Sequence, residues 1–222
     1  MAKNNTNSFV NRLTETLTKY NLPCAQELLH CMPCKQEWKI TIKNVIQLFW
    51  KEKWTTEKEY KSTMQFLDIQ QQPFRNPHQI WKLVPNNTLE IKKKAEIKAK
   101  LLTRTYTLQS DRAKFGVTTN DICMLCKSNK EDTEHFLLIC PSLEKVREKH
   151  LSILFTYITN NFGSNVINRI NQDGLLLQLI LDSSATKLRH IFKLQHQNRI
   201  DIERITRTLC YGLHTRRAAL LT

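Results

Sequence analysis

The 222-residue chain is expected to be mostly α, a bundle of helices interrupted by one loop rich in cysteine and histidine. Three observations lead there. Apolar residues recur at helical spacing along most of the sequence. Strict alternation over five or more residues is hard to find, and 4 glycines are few for an all-β chain full of tight turns. The third is the set Cys123, Cys126, His135 and Cys140, packed into one short segment.

Residues 1–69 read as an N-terminal helical region. From about Lys35 to Tyr60, Trp38, Ile42, Val45 and Phe49 advance by four, three and four, which is one face of a helix. Cys24, Cys31 and Cys34 precede it, with His30 nearby. They contain a Cys-x2-Cys, but no further partner follows at suitable spacing before His78, and Pro23 and Pro33 account for the turns without a metal. They are read as structural or incidental thiols. Residues 70–87 read as a connector, with three consecutive glutamines and Pro73, Pro77 and Pro85, which disfavour a continuous helix. Trp81 argues against a fully disordered link. Asn87, three residues before Glu90, has the form of a capping box opening the next helix.

That helix, about Thr88–Thr105, is basic. It carries Lys92, Lys93, Lys94, Lys98, Lys100 and Arg104, and Arg112 and Lys114 follow. Against these eight stand Glu90, Glu96 and Asp111, so the stretch is +5. Together with the Cys/His segment it forms a module over 88–150. Residues 151–222 read as a C-terminal helical region. Pro141 suits a first helical position, and Leu143, Val146, His150, Leu151, Leu154 and Ile158 then mark an apolar face; Ile202, Ile205, Leu209 and Leu213 mark another. Cys210 lies beside that last face and reads as a core residue.

Cys-x2-Cys, eight residues, His, four residues, Cys is the sharpest signal in the chain. Two sulfurs from a tight knuckle reach one ion, and a later His and Cys complete a tetrahedron. Zinc suits three thiolates and one imidazole, so one structural Zn2+ is expected on Cys123, Cys126, His135 and Cys140. Four protein ligands leave no open position for a catalytic water. The fold class is thus a helical bundle with an inserted Cys3His zinc knuckle. Turn formers Asn120-Asp121 and Ser128-Asn129 flank the knuckle, and Asp132 or Thr133 can cap the turn carrying His135. Lys127, Lys130, Arg147 and Lys149 are near enough in sequence to offset the negative charge of the centre.

Lys plus Arg number 34 against 20 Asp plus Glu, giving +14, and the pI is near 9.6. Such a surplus attracts polyanions, most commonly nucleic acid. No Gly-rich phosphate loop, Gly-x-Ser-x-Gly, His-Glu-x-x-His or adjacent aspartate pair is present. Glu90-Ile-Lys92 and Glu96-Ile-Lys98 have the Glu-x-Lys form of some nuclease centres but sit on a basic helix without an acidic partner. An independent enzyme, or a small-molecule substrate, is therefore not expected. The start of the chain is polar, and the longest apolar stretch, within Leu175–Leu181, is broken by Gln178 and far too short for a bilayer. An intracellular location, cytoplasmic and/or nuclear, follows as the expectation, with no membrane partner. In that reducing setting seven cysteines suggest thiols and metal.

Leu101–Phe115, the Cys-x2-Cys and then Glu134-His-Phe-Leu-Leu-Ile-Cys-Pro141 resemble the zinc-binding region downstream of the polymerase in non-LTR retrotransposon reverse transcriptases. Tyr20–Pro23, Gln36–Trp38 and Ile202–Arg217 extend the resemblance over most of the chain, and it is strongest over Lys98–Arg147. It implies the same four ligands, a role in holding template RNA or target DNA, and a polymerase part of a retroelement protein as a further partner. The polymerase and endonuclease parts are not in this chain, which fits a truncated or decayed copy, a fragment or a retained cellular protein. On the basic-helix reading, Lys92, Lys93, Lys94, Lys98, Lys100, Arg104, Arg112 and Lys114 contact phosphates. Tyr106 and Phe115 are either base-stacking platforms or core residues, the latter favoured for Phe115. Arg199, Arg204, Arg207, Arg216 and Arg217 form an alternative phosphate surface. In a second class of reading, the apolar face of the last helix docks a protein partner.

Overall fold

The computed structural model describes residues 8–68, 77–82, 84, 88–189 and 196–222, and these residues are mostly helical with no β-strand among them. The chain divides into two compact units, 1–57 and 58–222. The separate connector expected at 70–87 falls largely outside the described residues, as does the proposed cap at Asn87.

In the first unit, α1 (Phe9–Lys19) starts at Ser8, whose hydroxyl accepts from the Asn11 amide at 3.2 Å. It ends as a Schellman turn: Asn21 takes a left-handed φ of 49°, and the Leu22 amide reaches back to the Leu17 carbonyl. Helix α2 (Ala25–His30) is opened by a capping box between Cys24 and Glu27. Cys34 likewise receives the Glu37 amide at the start of α3 (Lys35–Tyr60). These two exposed thiols therefore act as helix caps, and Cys31 is exposed beside them. Trp38, Ile42, Val45 and Phe49 are all half-buried, as the periodicity of α3 requires. Phe49 meets Tyr20 edge-to-face at 4.9 Å, with the Lys19 ammonium over both rings.

The second unit holds the main core. A short α4 (Gln79–Lys82) buries Ile80 and leaves Trp81 partly exposed. Then come α5 (Leu89–Leu102), α6 (Gln109–Lys114), a π turn (His135–Ile139), α7 (Glu144–Phe162), α8 (Ser164–Gln172), α9 (Leu176–Leu181), α10 (Thr186–Arg189) and α11 (His196–Leu221). Helix α11 packs against α4, α5, α7, α9 and the π turn, so the division expected at residue 150 does not separate two bodies; α7 runs straight through it. Ile202, Leu209, Cys210 and Leu213 are fully buried in this core. The apolar face of the last helix is therefore occupied within the chain, which corrects its reading as a surface for a protein partner. Gly212 lets α7 and α11 approach closely: a Cβ there would meet Nε2 of His150 at 2.8 Å. Among the described residues no helix is long and apolar enough to cross a membrane.

Helix α5 opens at Thr88 without a side-chain cap, while Glu90 pairs with Lys94 at 2.6 Å one turn on. Its inward face is Ala95, Lys98, Leu101 and Leu102. Lys98 is fully buried, and its ammonium donates to Glu203 at 2.6 Å and to Thr206 at 2.7 Å. Glu203 also faces Arg207 at 3.4 Å, and Arg207 donates to the Ile80 carbonyl at 2.9 Å. This chain of charges ties α4, α5 and α11 together. It also corrects the sequence expectation for Lys98, which is an internal strut and cannot reach a phosphate.

Candidate metal centre

The knuckle is built from turns. The side chain of Asn120 accepts from the Ile122 amide at 2.9 Å. Ile122 then forms an isolated antiparallel bridge with Lys130, and the Cys123 amide donates to the Asn129 carbonyl at 2.8 Å. Between them Lys127 adopts a left-handed φ of 56° and returns its amide to the Cys123 carbonyl at 2.9 Å. This tight reversal puts the sulfurs of Cys123 and Cys126 on one side.

The other two ligands come from the π turn. Asp132 caps it by accepting the His135 amide at 2.9 Å. In an α-helix, residues five apart point about 140° away from each other. The wider turn brings Cys140 back over His135, and the Cys140 amide donates to the His135 carbonyl at 2.8 Å. Pro141 then begins a short 3-10 turn, Pro141–Leu143, leading into α7.

The four donor atoms all lie within 4.8 Å of one another. Cys123 and Cys140 sulfurs are 3.9 Å apart, and the Cys126 sulfur is 3.4 Å from His135 Nε2. A tetrahedral ion with metal–sulfur bonds of about 2.3 Å and metal–nitrogen bonds of about 2.05 Å needs edges of about 3.8 and about 3.6 Å. The arrangement thus fits a single metal ion. Burial pushes the Cys123 thiol up to about 12 and raises Cys140 as well. Burial also opposes ionisation of Cys126, but the amides of Ser128 and Asn129 and the Ser128 hydroxyl outweigh it and bring that thiol down to about 6. Metal capture from thiols releases protons, so acid opposes it.

Two arginines and a carboxylate surround the ligands. Arg147 is buried and donates to the carbonyls of Leu137 at 3.0 Å and Cys140 at 2.6 Å. Of the four cations that sequence proximity suggested, it alone is buried at the centre; Lys127, Lys130 and Lys149 are exposed. Glu131, 1% exposed, lies with one oxygen 4.0 Å from the Cys123 sulfur. It accepts the Gln109 amide at 2.9 Å and a two-pronged Arg217 at 2.9 and 3.1 Å. Sequence reasoning missed Glu131, because its partner Arg217 is 86 residues away. His135 Nδ1 is buried without a hydrogen-bond partner among the described residues. His135 is buried, as are the next two residues of the turn, Phe136 and Leu137.

The cationic residues are divided by the fold. Lys92 and Lys93 are exposed on α5 with no ion pair formed among the described residues. Lys100 is exposed and paired with Glu96 at 2.8 Å. Lys94 pairs with Glu90 and lies 5.9 Å from the Tyr211 ring. Arg104 is held by Asp111 and Gln65, both at 3.1 Å. Arg112 is half-buried, and Lys114 is exposed with its ammonium on the Ser62 hydroxyl. The core place favoured for Phe115 is corrected, and of the two readings left open for Tyr106 the core one holds. Tyr106 is buried, stacked on Phe136 at 5.4 Å and bonded to His214 at 2.8 Å, whereas Phe115 is 68% exposed. In the alternative arginine set, Arg207 is buried and Arg217 is half-buried on Glu131, while Arg204 and Arg216 are exposed.

Cys24, Cys31 and Cys34 do not gather a ligand set: among the described residues Cys123, Cys126, His135 and Cys140 are the one group placed to hold an ion. Compared with protein-family models, curated proteins and solved structures, the chain matches none.

Proposed function

We propose that this chain is a zinc-dependent nucleic-acid-binding module, with one structural Zn2+ on Cys123, Cys126, His135 and Cys140. Charge supports zinc as the occupant. Three thiolates and a divalent ion leave minus one, and Glu131 adds minus one. Buried Arg147 and half-buried Arg217 supply plus two, so the assembly is neutral when the ion is divalent and all three thiols are ionised. The ion closes the loop between α6 and α7 and has no coordination position left for chemistry.

The observation that carries nucleic acid as the partner is the exposed pair Lys92–Lys93 on α5, which belongs to the same packed unit as the metal centre in a chain of charge +14. Lys100, Lys114 and Arg112 extend the cationic surface, and Phe115 beside Lys114 offers a stacking face. RNA template or target DNA, held for a polymerase part of a retroelement protein, is the role that the resemblance to the retrotransposon zinc-binding region implies. The test is affinity for single- and double-stranded RNA and DNA across a salt series. The double variant Lys92→Ala/Lys93→Ala is expected to reduce the slope of log K against log salt by about 1.5 to 2. An unchanged slope would remove α5 from the interface.

A second reading is favoured by the N-terminal unit. There Leu28, Leu29, Met32, Pro33 and Trp38 line an apolar groove of about 560 Å3, with Leu29 and Met32 almost fully exposed. This is the surface on which a protein-interaction role would rest. Self-association in high salt, without affinity for RNA or DNA, would favour it.

A further inference from the structure

We propose that a cavity beside the metal-bearing π turn is a slot for one unpaired guanine base. The proposal rests on the nucleic-acid reading above and deepens it. The cavity measures about 590 Å3, within the range of small-ligand sites. Phe66, Leu138 and Leu177 supply apolar walls, and Arg104, Glu134 and Asn171 supply a polar rim.

Arg104 is the first reason to read this as a built site. It occupies the position after the C-cap of α5 with a φ of 51°, where glycine is the residue without strain. The side chain carried at this position lines the cavity. Asp111 and Gln65 each take one N–H and so fix the group at the cavity. Three of its five N–H donors are then left for a ligand.

Glu134 is the second. It is exposed, has no partner among the described residues, and sits one residue before the ligand His135 on a turn that Asp132 caps. An ionised carboxylate accepts two parallel N–H bonds, and a guanidinium donates two. Guanine offers N1–H and N2–H donors on one edge and O6 and N7 acceptors on the next. Adenine and the pyrimidines do not offer both pairs. The carboxylate repels phosphate, so the backbone of a bound strand stays outside the cavity.

The test uses the full zinc-loaded chain and labelled single-stranded RNA of eight nucleotides, read by fluorescence anisotropy. One strand is all uridine, one carries a single guanosine, and one carries inosine, which lacks the 2-amino group. Guanosine 5′-monophosphate serves as competitor. The guanosine strand is expected to bind about tenfold more tightly than the uridine strand, with inosine between them. E134Q should erase this preference while leaving salt-dependent binding of the uridine strand intact. Equal affinity for all three strands would overturn the slot and leave the nucleic-acid reading standing. Preference retained in E134Q would overturn the assignment of the rim. If the monophosphate binds and no strand does, the base site stands and its source is a free nucleotide, which overturns the nucleic-acid reading. Failure of every strand and of the monophosphate overturns both.

Discussion

A Cys126→Ser chain purified without chelator is expected to carry no zinc, against about one zinc per wild-type chain. The effect on folding should be among the largest that a single substitution can produce here. Structural zinc contributes about 10–16 kcal/mol to isolated zinc-finger peptides. In this chain the buried thiols of Cys123 and Cys140 still pack when protonated, and α5, α7 and α11 form a core of their own. A net loss on the order of 5 kcal/mol is therefore expected, read by urea denaturation of wild type and variant side by side. Addition of chelator to wild type should reproduce it. Elemental analysis that finds no zinc in a well-folded wild type would remove the metal from the account. A variant with unchanged stability would show that the turns alone hold the knuckle.

Lys98→Ala is expected to destabilise the second unit by about 3–5 kcal/mol, because it leaves Glu203 buried without its closest cation. Lys92→Ala, earlier on the same helix, should cost no more than about 0.5 kcal/mol. Lys98→Met separates the two parts of the loss. It keeps the methylene packing and removes only the charge, so any stability recovered relative to alanine reports volume. Arg207 remains beside Glu203 at 3.4 Å and limits the damage. If both alanine variants unfold at the same urea concentration, the buried ion pair is not a strut.

These two sites mark what the sequence could and could not disclose. The four metal ligands were legible because their chemistry is local: Cys-x2-Cys, a capping Asp132 and a Pro141 all act within twenty residues, and spacing alone brings them together. The long helix α3 was legible to its ends for the same reason, since Trp38, Ile42, Val45 and Phe49 encode one face. Lys98 departs from the basic-helix expectation because its register on the helix, not its charge, decides its place. It stands three residues after Ala95 and three before Leu101, on the apolar face, and that register was the available signal. Glu131 gave no signal at all, for the partner that makes its burial tolerable comes from α11. Phe115 departs from its expected core place, and Tyr106 was open between two readings, because an aromatic side chain suits a core and a surface equally well. Only the position of Phe115 at the end of α6, with Gly116 following, turns it outward.

The pairing of Glu131 with Arg217 also orders events in time. During synthesis at about 5–20 residues per second, Cys140 is made about 4 to 15 s before Arg217. All four ligands are then in hand, close together along the chain, while the counter-ion of the neighbouring carboxylate does not yet exist. The nascent knuckle can capture its ion early, but it does so with one uncompensated negative charge at its side. Arrival of α11 relieves that charge and closes the core in the same step. A ribosome-stalled chain ending before Arg217 should accordingly hold its metal less firmly against a chelator than the same chain extended through α11.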